Sequence, residues 1–393
     1  MQPRNEPGTP LYVHLPFCAA KCPYCDFYSV PGEDQDTAGV IETVLREAEL
    51  RGPSRPRTVF VGGGTPSYHS IAELRRLFDG LDRITGFRDS AEEVTVECNP
   101  ESLDRDKAAA LRDLGVDRAS IGFQSLDPET LALFGRVHSA DQSLRAFEAA
   151  RDAGLPRVSV DLIYASPGHG VERWEAELTR VLDLRPDHLS AYNLTFEEGT
   201  PFRRWLEEGR LERLPEEREL ALFWSTRRIA AERGYGAYEI SNFALEGEVC
   251  RHNLNYWHNG PYVGLGPSAA SKEGHVRRSR TRSIRAWTRA IHEAANESGE
   301  AGGWLWEEEL EPSKRLGETW WLGLRLTEGV EPERARAAAG FDAEDDPCVA
   351  VARALCGEGL LVETGDRFRL TEAGLPLADH VAARFLQSEP AGE

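Results

Sequence analysis

Short runs of β-branched and apolar residues recur along the first half of the chain. Each is followed by turn residues and then by a stretch whose apolar positions step by three or four. The runs are Leu11 to Leu15, Thr58 to Val61, Val94 to Cys98, Ala119 to Phe123, Val158 to Tyr164 and Leu189 to Leu194. Between them lie the amphipathic stretches Val40 to Leu50, Ile71 to Ile84, Lys107 to Leu114, Leu144 to Ala153 and Trp174 to Leu184. Steady alternation of strand and helix predicts an α/β protein with a parallel sheet and helices outside it, closed or partly closed into a barrel.

Polar residues gather where these strands end. The first run leads into Cys18, Cys22 and Cys25, the second into Gly62-Gly63-Gly64-Thr65-Pro66-Ser67, and the third holds Glu97, followed by Asn99. The fourth ends in Gln124, the fifth carries Asp161, and the sixth ends in Thr195-Phe196-Glu197-Glu198. One polar residue at a strand end usually only caps a turn. A whole set in register predicts a ligand site on the carboxyl-terminal face of the sheet.

Past Leu194 the pattern changes. Pro215 to Gly234 reads as one helix, opened by Pro215 and acids and closed by Gly234. Tyr238 to Ala244 reads as a strand, and a polar-aromatic segment follows to Ser271. The basic stretch Arg277 to Arg282 predicts a solvated face, with ligand carboxylates as the alternative partner. After Arg315, helical signals at Leu316 to Leu326, Glu333 to Ala338 and Val349 to Cys356 lead into a hairpin turning at Thr364-Gly365-Asp366. A closing helix from about Glu372 to Phe385 completes a small unit resembling a winged helix. Its acidic composition argues for packing or lid duty rather than DNA binding.

The chain has 393 residues and a formal net charge of -20. That balance argues against a nucleic-acid partner and against electrostatic anchoring to anionic lipid. An exposed apolar patch would still allow peripheral membrane contact. Positive charge is almost all arginine, with lysine only at Lys21, Lys107, Lys272 and Lys314. No apolar run approaches the ~20 residues of a membrane helix, and the first residues lack the apolar core of a signal peptide. A cytoplasmic location is expected, and with it free thiols rather than disulfides. Cys98, Cys250, Cys348 and Cys356 are scattered and read as small buried hydrophobes.

The spacing C-x3-C-x2-C at Cys18, Cys22 and Cys25 is different in kind. Three thiolates hold three corners of a cubane iron–sulfur cluster and leave the fourth iron open to a small molecule. Zinc is the alternative, but it usually closes with four ligands, and no second pair is present. An open iron suits a ligand with an amine and a carboxylate, as in the methionine end of S-adenosylmethionine, whose sulfonium is open to one-electron cleavage. Gly62 to Gly64 let backbone approach such a ligand, with Pro66 stiffening the exit. The run lacks the lysine of a Walker loop. Glu97 and Asp161 suit ribose hydroxyls or an amino group, Gln124 and Arg136 the remaining polar atoms, and Tyr24 packs on adenine or shields the cluster. A solvated or capping polar group is the plain alternative for each.

Tyr12 to Phe27, the Gly62 to Ser67 run, Val96 to Pro100, Gly122 to Ser125 and Val160 to Tyr164 together resemble the radical S-adenosylmethionine family that includes oxygen-independent coproporphyrinogen III dehydrogenase. The resemblance covers nearly the whole chain. It implies a partial (β/α)6 barrel with a C-terminal, mainly helical domain, a [4Fe-4S] cluster on Cys18, Cys22 and Cys25, and S-adenosylmethionine lined by Tyr12, Gly63, Gly64, Thr65, Glu97, Gln124, Arg136, Asp161, Thr195 and Ala270. In the dehydrogenase some of these contact a second S-adenosylmethionine.

Two departures separate the chain from the dehydrogenase. Phe27 stands where the dehydrogenase has a further cysteine, and only a short lead precedes Tyr12. Both match the haem chaperone branch of the family, whose H-N-x-x-Y-W haem-binding motif is similar to His252-Asn253-Leu254-Asn255-Tyr256-Trp257. A neutral imidazole ligates iron, and Tyr256 and Trp257 offer flat apolar surface to a macrocycle. His258, His14, His138 and His169 are alternative ligands. The function this implies is a haem chaperone that delivers haem to apo-haemoproteins. Coproporphyrinogen III dehydrogenase is the enzyme alternative, and a radical methyltransferase a third reading. The expected organisation is a disordered lead over 1–10, the partial barrel over 11–214, a barrel-covering segment with the motif over 215–310, the helical domain over 311–387 and a disordered tail over 388–393.

Overall fold

A computed structural model of the chain describes residues 7–297, 302–342 and 346–386. The expected tail, and the expected lead up to residue 6, lie outside the described residues. What remains of that lead is packed, which corrects the expectation for it. The Gly8 amide donates to Arg55 O at 3.0 Å, and Pro10 O accepts from the Val263 amide at 2.9 Å.

Strands β1 (Leu11–Leu15), β2 (Thr58–Gly63), β3 (Glu93–Cys98), β4 (Arg118–Gln124), β5 (Arg157–Tyr164) and β6 (His188–Asn193) pair in parallel, in chain order. Helices α1 (Thr37–Arg51), α2 (Ile71–Thr85), α3 (Arg105–Asp113), α4 (Ala140–Asp152) and α5 (Val171–Asp183) return the chain between them. These are the strands and helices the periodicity predicts. The α/β part-barrel class holds. Strand Val263–Leu265 adds a further parallel partner on the outer side of β1, and Asn242–Ala244 with Gly236–Ala237 closes the other edge antiparallel.

Alternation along the strands sorts the side chains. Leu11, Val13, Leu15, Val59, Val61, Val94, Val96, Ala119, Ile121, Val158 and Val160 are buried in one large core with α1 to α5. Burying such residues is worth about 1.5–3 kcal/mol each, which makes this layer the main support of the sheet. The intervening positions carry polar groups on the opposite face, where Tyr12 bonds to His14, Ser120 to Asp161, Thr58 to His252, and Glu97 accepts the Gly63 amide. Helix α2 shows how local signals fix the frame. Ser70 accepts the Glu73 amide while Glu73 returns a bond to the Ser70 amide at 2.8 Å, and Gly86 ends the helix at φ +69°.

Helix α6 (Glu216–Glu232) follows as expected. Tyr238 to Ala244 is not one strand. Glu239 folds back to accept the Ser241 amide at 2.8 Å and Asn242 Nδ2 at 2.6 Å, turning the chain into a short hairpin. The polar-aromatic segment contains helix Arg251–Trp257. The basic stretch forms strand Val276–Arg280, between Ala270–Glu273 and Trp304–Glu309. The arginines within that strand are ion-paired, while Arg282 beyond it is exposed. Arg278 meets Glu307 at 2.6 Å, Arg277 meets Glu308 at 2.7 Å as well as Glu318, and Arg280 is fully buried against Glu47.

A second core joins Leu316, Trp320, Leu324, Leu355, Phe368, Val381 and Phe385. Helices Pro312–Gly323, Pro332–Ala339 and Pro347–Gly357 precede the hairpin Leu361–Thr364 and Arg367–Leu370, and a bridge pairs Val330 with Phe368. This arrangement is winged-helix-like. The closing helix is shorter than expected. Gly374 and Pro376 interrupt its pattern, leaving a 3-10 turn at Leu375–Leu377 and helix Ala378–Ala383.

Candidate functional site

The carboxyl-terminal ends of the strands open into a cavity of about 1360 Å³. Cys18, Cys22, Cys25, Tyr24, Gly63, Gly64, Thr65, Glu97, Gln124, Arg136, Asp161 and Thr195 all line it. Residues from seven separate segments thus meet, and the sequence expected each of them there. Tyr12 and Ala270 do not line it. Tyr12 lies behind the wall, its hydroxyl 2.9 Å from His14 Nδ1, and Ala270 opens the outer three-stranded sheet.

The cysteine loop leaves β1 and is held by its own hydrogen bonds, with Thr65 Oγ1 donating to Cys18 Sγ at 3.4 Å and the Cys25 amide to Cys22 O at 3.1 Å. All three thiols are free. Burial pushes the Cys18 and Cys25 thiols up, so their ionised forms gain from a nearby cation. Arg136 provides one, with Nη1 3.5 Å from Cys22 Sγ. Its Nη2 donates to Asn99 Oδ1 at 2.7 Å and Gly122 O at 3.1 Å, while buried Nε has no hydrogen-bond partner. Among the described residues no three His, Cys, Asp or Glu side chains converge as on a single ion. A cubane asks for no such convergence, since each thiolate takes a different iron.

The glycine turn is built for close approach. Gly63 has φ +109°, and a Cβ there would lie 2.5 Å from the His14 ring. A Cβ on Gly64 would lie 2.6 Å from Phe17 O, and one on Gly62 would lie 2.7 Å from Glu97 Oε2. None of the three positions can carry a side chain without displacing a neighbour, so Gly63 and Gly64 keep bare backbone at the cavity wall. These features fit the groups the residues call for: free thiols, a buried cation with a spare N–H, and a bare backbone cradle.

Glu97 and Asp161 supply the acceptors. Burial raises Glu97 to about 7, the Asp161 charge adding to the effect and the Gly63 N–H opposing it. Burial also raises Asp161, although Ser120 Oγ donates to its carboxylate at 3.0 Å. At Gln124 a bulge and φ +62° end β4 and turn this side chain into the cavity. Tyr24 packs against Phe134, with ring centroids 5.0 Å apart.

Sequence reasoning passed over Asn99 as a site residue. Its Nδ2 donates to Thr65 Oγ1 at 2.9 Å and its Oδ1 accepts from Arg136, so it ties the glycine turn to the cation. Two-residue spacing from Glu97 was the available signal. Ser120, Tyr192, Asn193 and the outer lining from α6 and from residues 372–380 carried none.

The motif helix lies elsewhere. His252 is 1% exposed; its Nδ1 is 2.8 Å from Thr58 Oγ1 and its Nε2 2.9 Å from the Tyr256 hydroxyl. Thr58 begins β2, which places the imidazole at the opposite end of the sheet from the cysteines. Burial lowers it to about 4. Trp257 is covered by the Arg325 guanidinium, 4.9 Å from its ring centre. In this arrangement both imidazole nitrogens of His252 are engaged, so the ring would have to leave Thr58 or Tyr256 to meet a haem iron. Of the alternatives, His14 is held at both nitrogens by Tyr12 and Tyr28 O, His138 lies against Glu101 and Phe123 O, and His169 is buried beside Glu177. His258 is partly exposed, 3.6 Å from Glu328.

Residues 12–181 match the model of the radical SAM superfamily, the class to which this sheet and its cysteine loop answer. The haem chaperone HemW of Bacillus subtilis is 31% identical over 379 residues, covering 95% of this chain and 98% of that protein. HemW of Escherichia coli K12 is 31% identical over 398 residues, covering 97% of this chain and 98% of its own. The chain belongs to the HemW family of that superfamily. Among solved structures, coproporphyrinogen III oxidase (HemN) from E. coli superposes with a TM-score of 0.83 at 21% identity, over 98% of this chain and 91% of that one, which shows a shared fold. No helix among the described residues is long and apolar enough to cross a membrane.

Proposed function

We propose that this protein binds haem and hands it to apo-haemoproteins in the cytoplasm, carrying a [4Fe-4S] cluster on Cys18, Cys22 and Cys25 and S-adenosylmethionine in the adjoining cavity. The observation that carries the reading is likeness along essentially the full length to proteins named haem chaperones. Phe27, 73% exposed at the cavity rim, adds to it. By the resemblance drawn from the sequence, the dehydrogenase has a cysteine there.

The chain's own groups then divide the work. The three thiolates fix the cluster, and Arg136 offsets their charge. The Gly63–Gly64 backbone lies open to the amine and carboxylate of the ligand, Glu97 and Asp161 accept from its hydroxyl or amino groups, and Tyr24, Gln124 and Thr195 enclose it. A bound cluster with an open iron supplies one-electron chemistry toward a sulfonium. His252 reaches a haem iron only after Thr58 and Tyr256 let go of its ring.

The test is anaerobic reconstitution, hemin titration, and mixing of the loaded protein with an apo-globin. Transfer of the haem absorbance to the globin is expected. Conversion of coproporphyrinogen III to protoporphyrinogen at catalytic rate would instead establish the dehydrogenase, and methylation of an added substrate the methyltransferase.

A further inference from the structure

Thr65, Asn99 and Arg136 follow three different strands, β2, β3 and β4, yet they join two of the loop cysteines in one continuous chain of hydrogen bonds. Thr65 Oγ1 lies 3.4 Å from Cys18 Sγ, and Asn99 Nδ2 lies 2.9 Å from Thr65 Oγ1. Arg136 Nη2 is 2.7 Å from Asn99 Oδ1, and its Nη1 is 3.5 Å from Cys22 Sγ. Asn99 stands in the middle and acts on each sulfur only through a neighbour.

The direction of these bonds is fixed by what each group can do. A guanidinium only donates, so the Asn99 atom facing Arg136 is its carbonyl oxygen. The other end of the amide is then an N–H toward Thr65, and the Thr65 hydroxyl, having accepted there, directs its own hydrogen to Cys18. Hydrogens therefore reach both sulfurs, one O–H and one N–H. A second tier holds Asn99 itself. Its backbone amide donates to Ser67 Oγ at 3.1 Å, that hydroxyl is 2.6 Å from Ser102 Oγ, and Lys107 Nζ donates to Ser67 O at 2.5 Å. Ser67 is fully buried, so the asparagine is anchored through its backbone while its side chain orients the two donors.

We propose that Asn99 is a positioning residue that aims the Thr65 hydroxyl at Cys18 and the Arg136 guanidinium at Cys22, and so raises the reduction potential of the cluster those thiolates hold. This role rests on the cluster assignment above and adds to it the residue that tunes the site. Hydrogen bonds to the sulfurs and net charge are the means by which a protein shifts such a potential. Donors facing thiolate sulfur stabilise added negative charge, which favours the reduced form. The Cys18 arm depends on Asn99 more than the Cys22 arm does, because Gly122 O also holds Arg136 Nη2, at 3.1 Å. Aspartate at this position has the same shape but, when ionised, only accepts. It would draw the Thr65 hydroxyl away from Cys18.

The experiment uses the full chain, reconstituted anaerobically with iron and sulfide and titrated against applied potential without S-adenosylmethionine, the reduced cluster being followed by paramagnetic resonance. Asn99→Asp is expected to keep its iron and sulfide and to titrate about 59 mV lower or more, the one-electron equivalent of a tenfold smaller reduced fraction. Thr65→Val, which has no hydroxyl to aim, should shift the potential in the same direction. The new carboxylate contributes to the first shift by charge alone, so Asn99→Asp is repeated in the Thr65→Val background, where its effect should be clearly smaller. Equal effects in the two backgrounds would reduce Asn99 to a charge and overturn the proposal. An unchanged potential in Asn99→Asp or in Thr65→Val would overturn it as well, with the cluster assignment left standing. Failure of the unmodified protein to take up iron and sulfide would overturn both.

Discussion

Gly63 donates its amide hydrogen to the buried carboxylate of Glu97 over 2.9 Å, joining the glycine turn of β2 to the neighbouring strand. The bond runs between two parts of the ligand cradle, so the charge state of one is felt by the conformation of the other. It also opposes the burial that holds Glu97 near neutrality.

The pH dependence follows from that balance. Glu97 moves from 4.5 to about 7 on folding. Between those values the folded state binds more protons than the unfolded chain, so stability from this group is present at low pH and is lost as pH rises toward 7. The full loss is on the order of 3 kcal/mol. Glu97→Gln is expected to gain stability relative to the unmodified protein as pH is raised through this window, measured as the difference in urea midpoint. Parallel pH profiles would show that Glu97 titrates normally.

Gly63→Ala is expected to cost more than about 1 kcal/mol, because φ +109° disfavours any side chain and the new Cβ lies 2.5 Å from the His14 ring. Binding of S-adenosylmethionine should fall with it, by calorimetry on reconstituted protein. Full affinity in this variant would show that the turn does not cradle the ligand.

Each of Cys18→Ala, Cys22→Ala and Cys25→Ala should stay folded yet lose most of the iron and acid-labile sulfide taken up on anaerobic reconstitution. A closed cluster cannot be held at two corners. Retention of a single zinc without sulfide in the unmodified protein would return the site to the zinc reading.

How much of this could be read from the chain depends on how local the signal was. The barrel strands and the inner site were legible because strand alternation placed Glu97 and Asp161 on the face opposite Val96 and Val160, and the cysteines and glycines lie at strand ends. Strand Val263–Leu265 has only three residues, too few for any period to show. Helix Arg251–Trp257 was hidden because its inward positions are polar, His252 and Asn255, not apolar. The outer half of the cavity brings α6 against residues 372–380, a meeting with no counterpart in local pattern. Arg277 to Arg280 looked solvated because their acids, Glu47, Glu307, Glu308 and Glu318, are distant in sequence.

His252→Ala is expected to lower stability by about 2–4 kcal/mol, from two buried hydrogen bonds and the void left beside Phe60. A pH signature accompanies it. Burial lowers this imidazole from 6.5 to about 4, so the unfolded chain binds the extra proton and stability falls as pH drops through that range. The variant should lose that part of the acid sensitivity, seen in thermal midpoints against pH. An unchanged midpoint would mean that the helix is displaced in solution and the imidazole is free for iron.

Glu47 and Arg280 form the joint between barrel and outer sheet, and both are fully buried. Glu47 also accepts Trp287 Nε1 at 3.0 Å and the Gly266 amide at 2.9 Å, while the Arg280 guanidinium lies 3.6 Å from the Trp304 ring centre. Removing one partner strands a charge where water cannot reach it, so Glu47→Ala is expected to cost about 3–5 kcal/mol. Replacing both by apolar residues, Glu47→Leu with Arg280→Met, should recover much of that loss, because no uncompensated charge remains. The effect should extend to the cysteines. Gly266 backs β1 so closely that a Cβ on it would lie 2.3 Å from His14 O, four residues before Cys18. Glu47→Ala should therefore speed hydrogen exchange along β1 and shorten iron retention after reconstitution, whereas the double variant restores both. Exchange confined to the outer sheet would show that the joint holds that sheet alone.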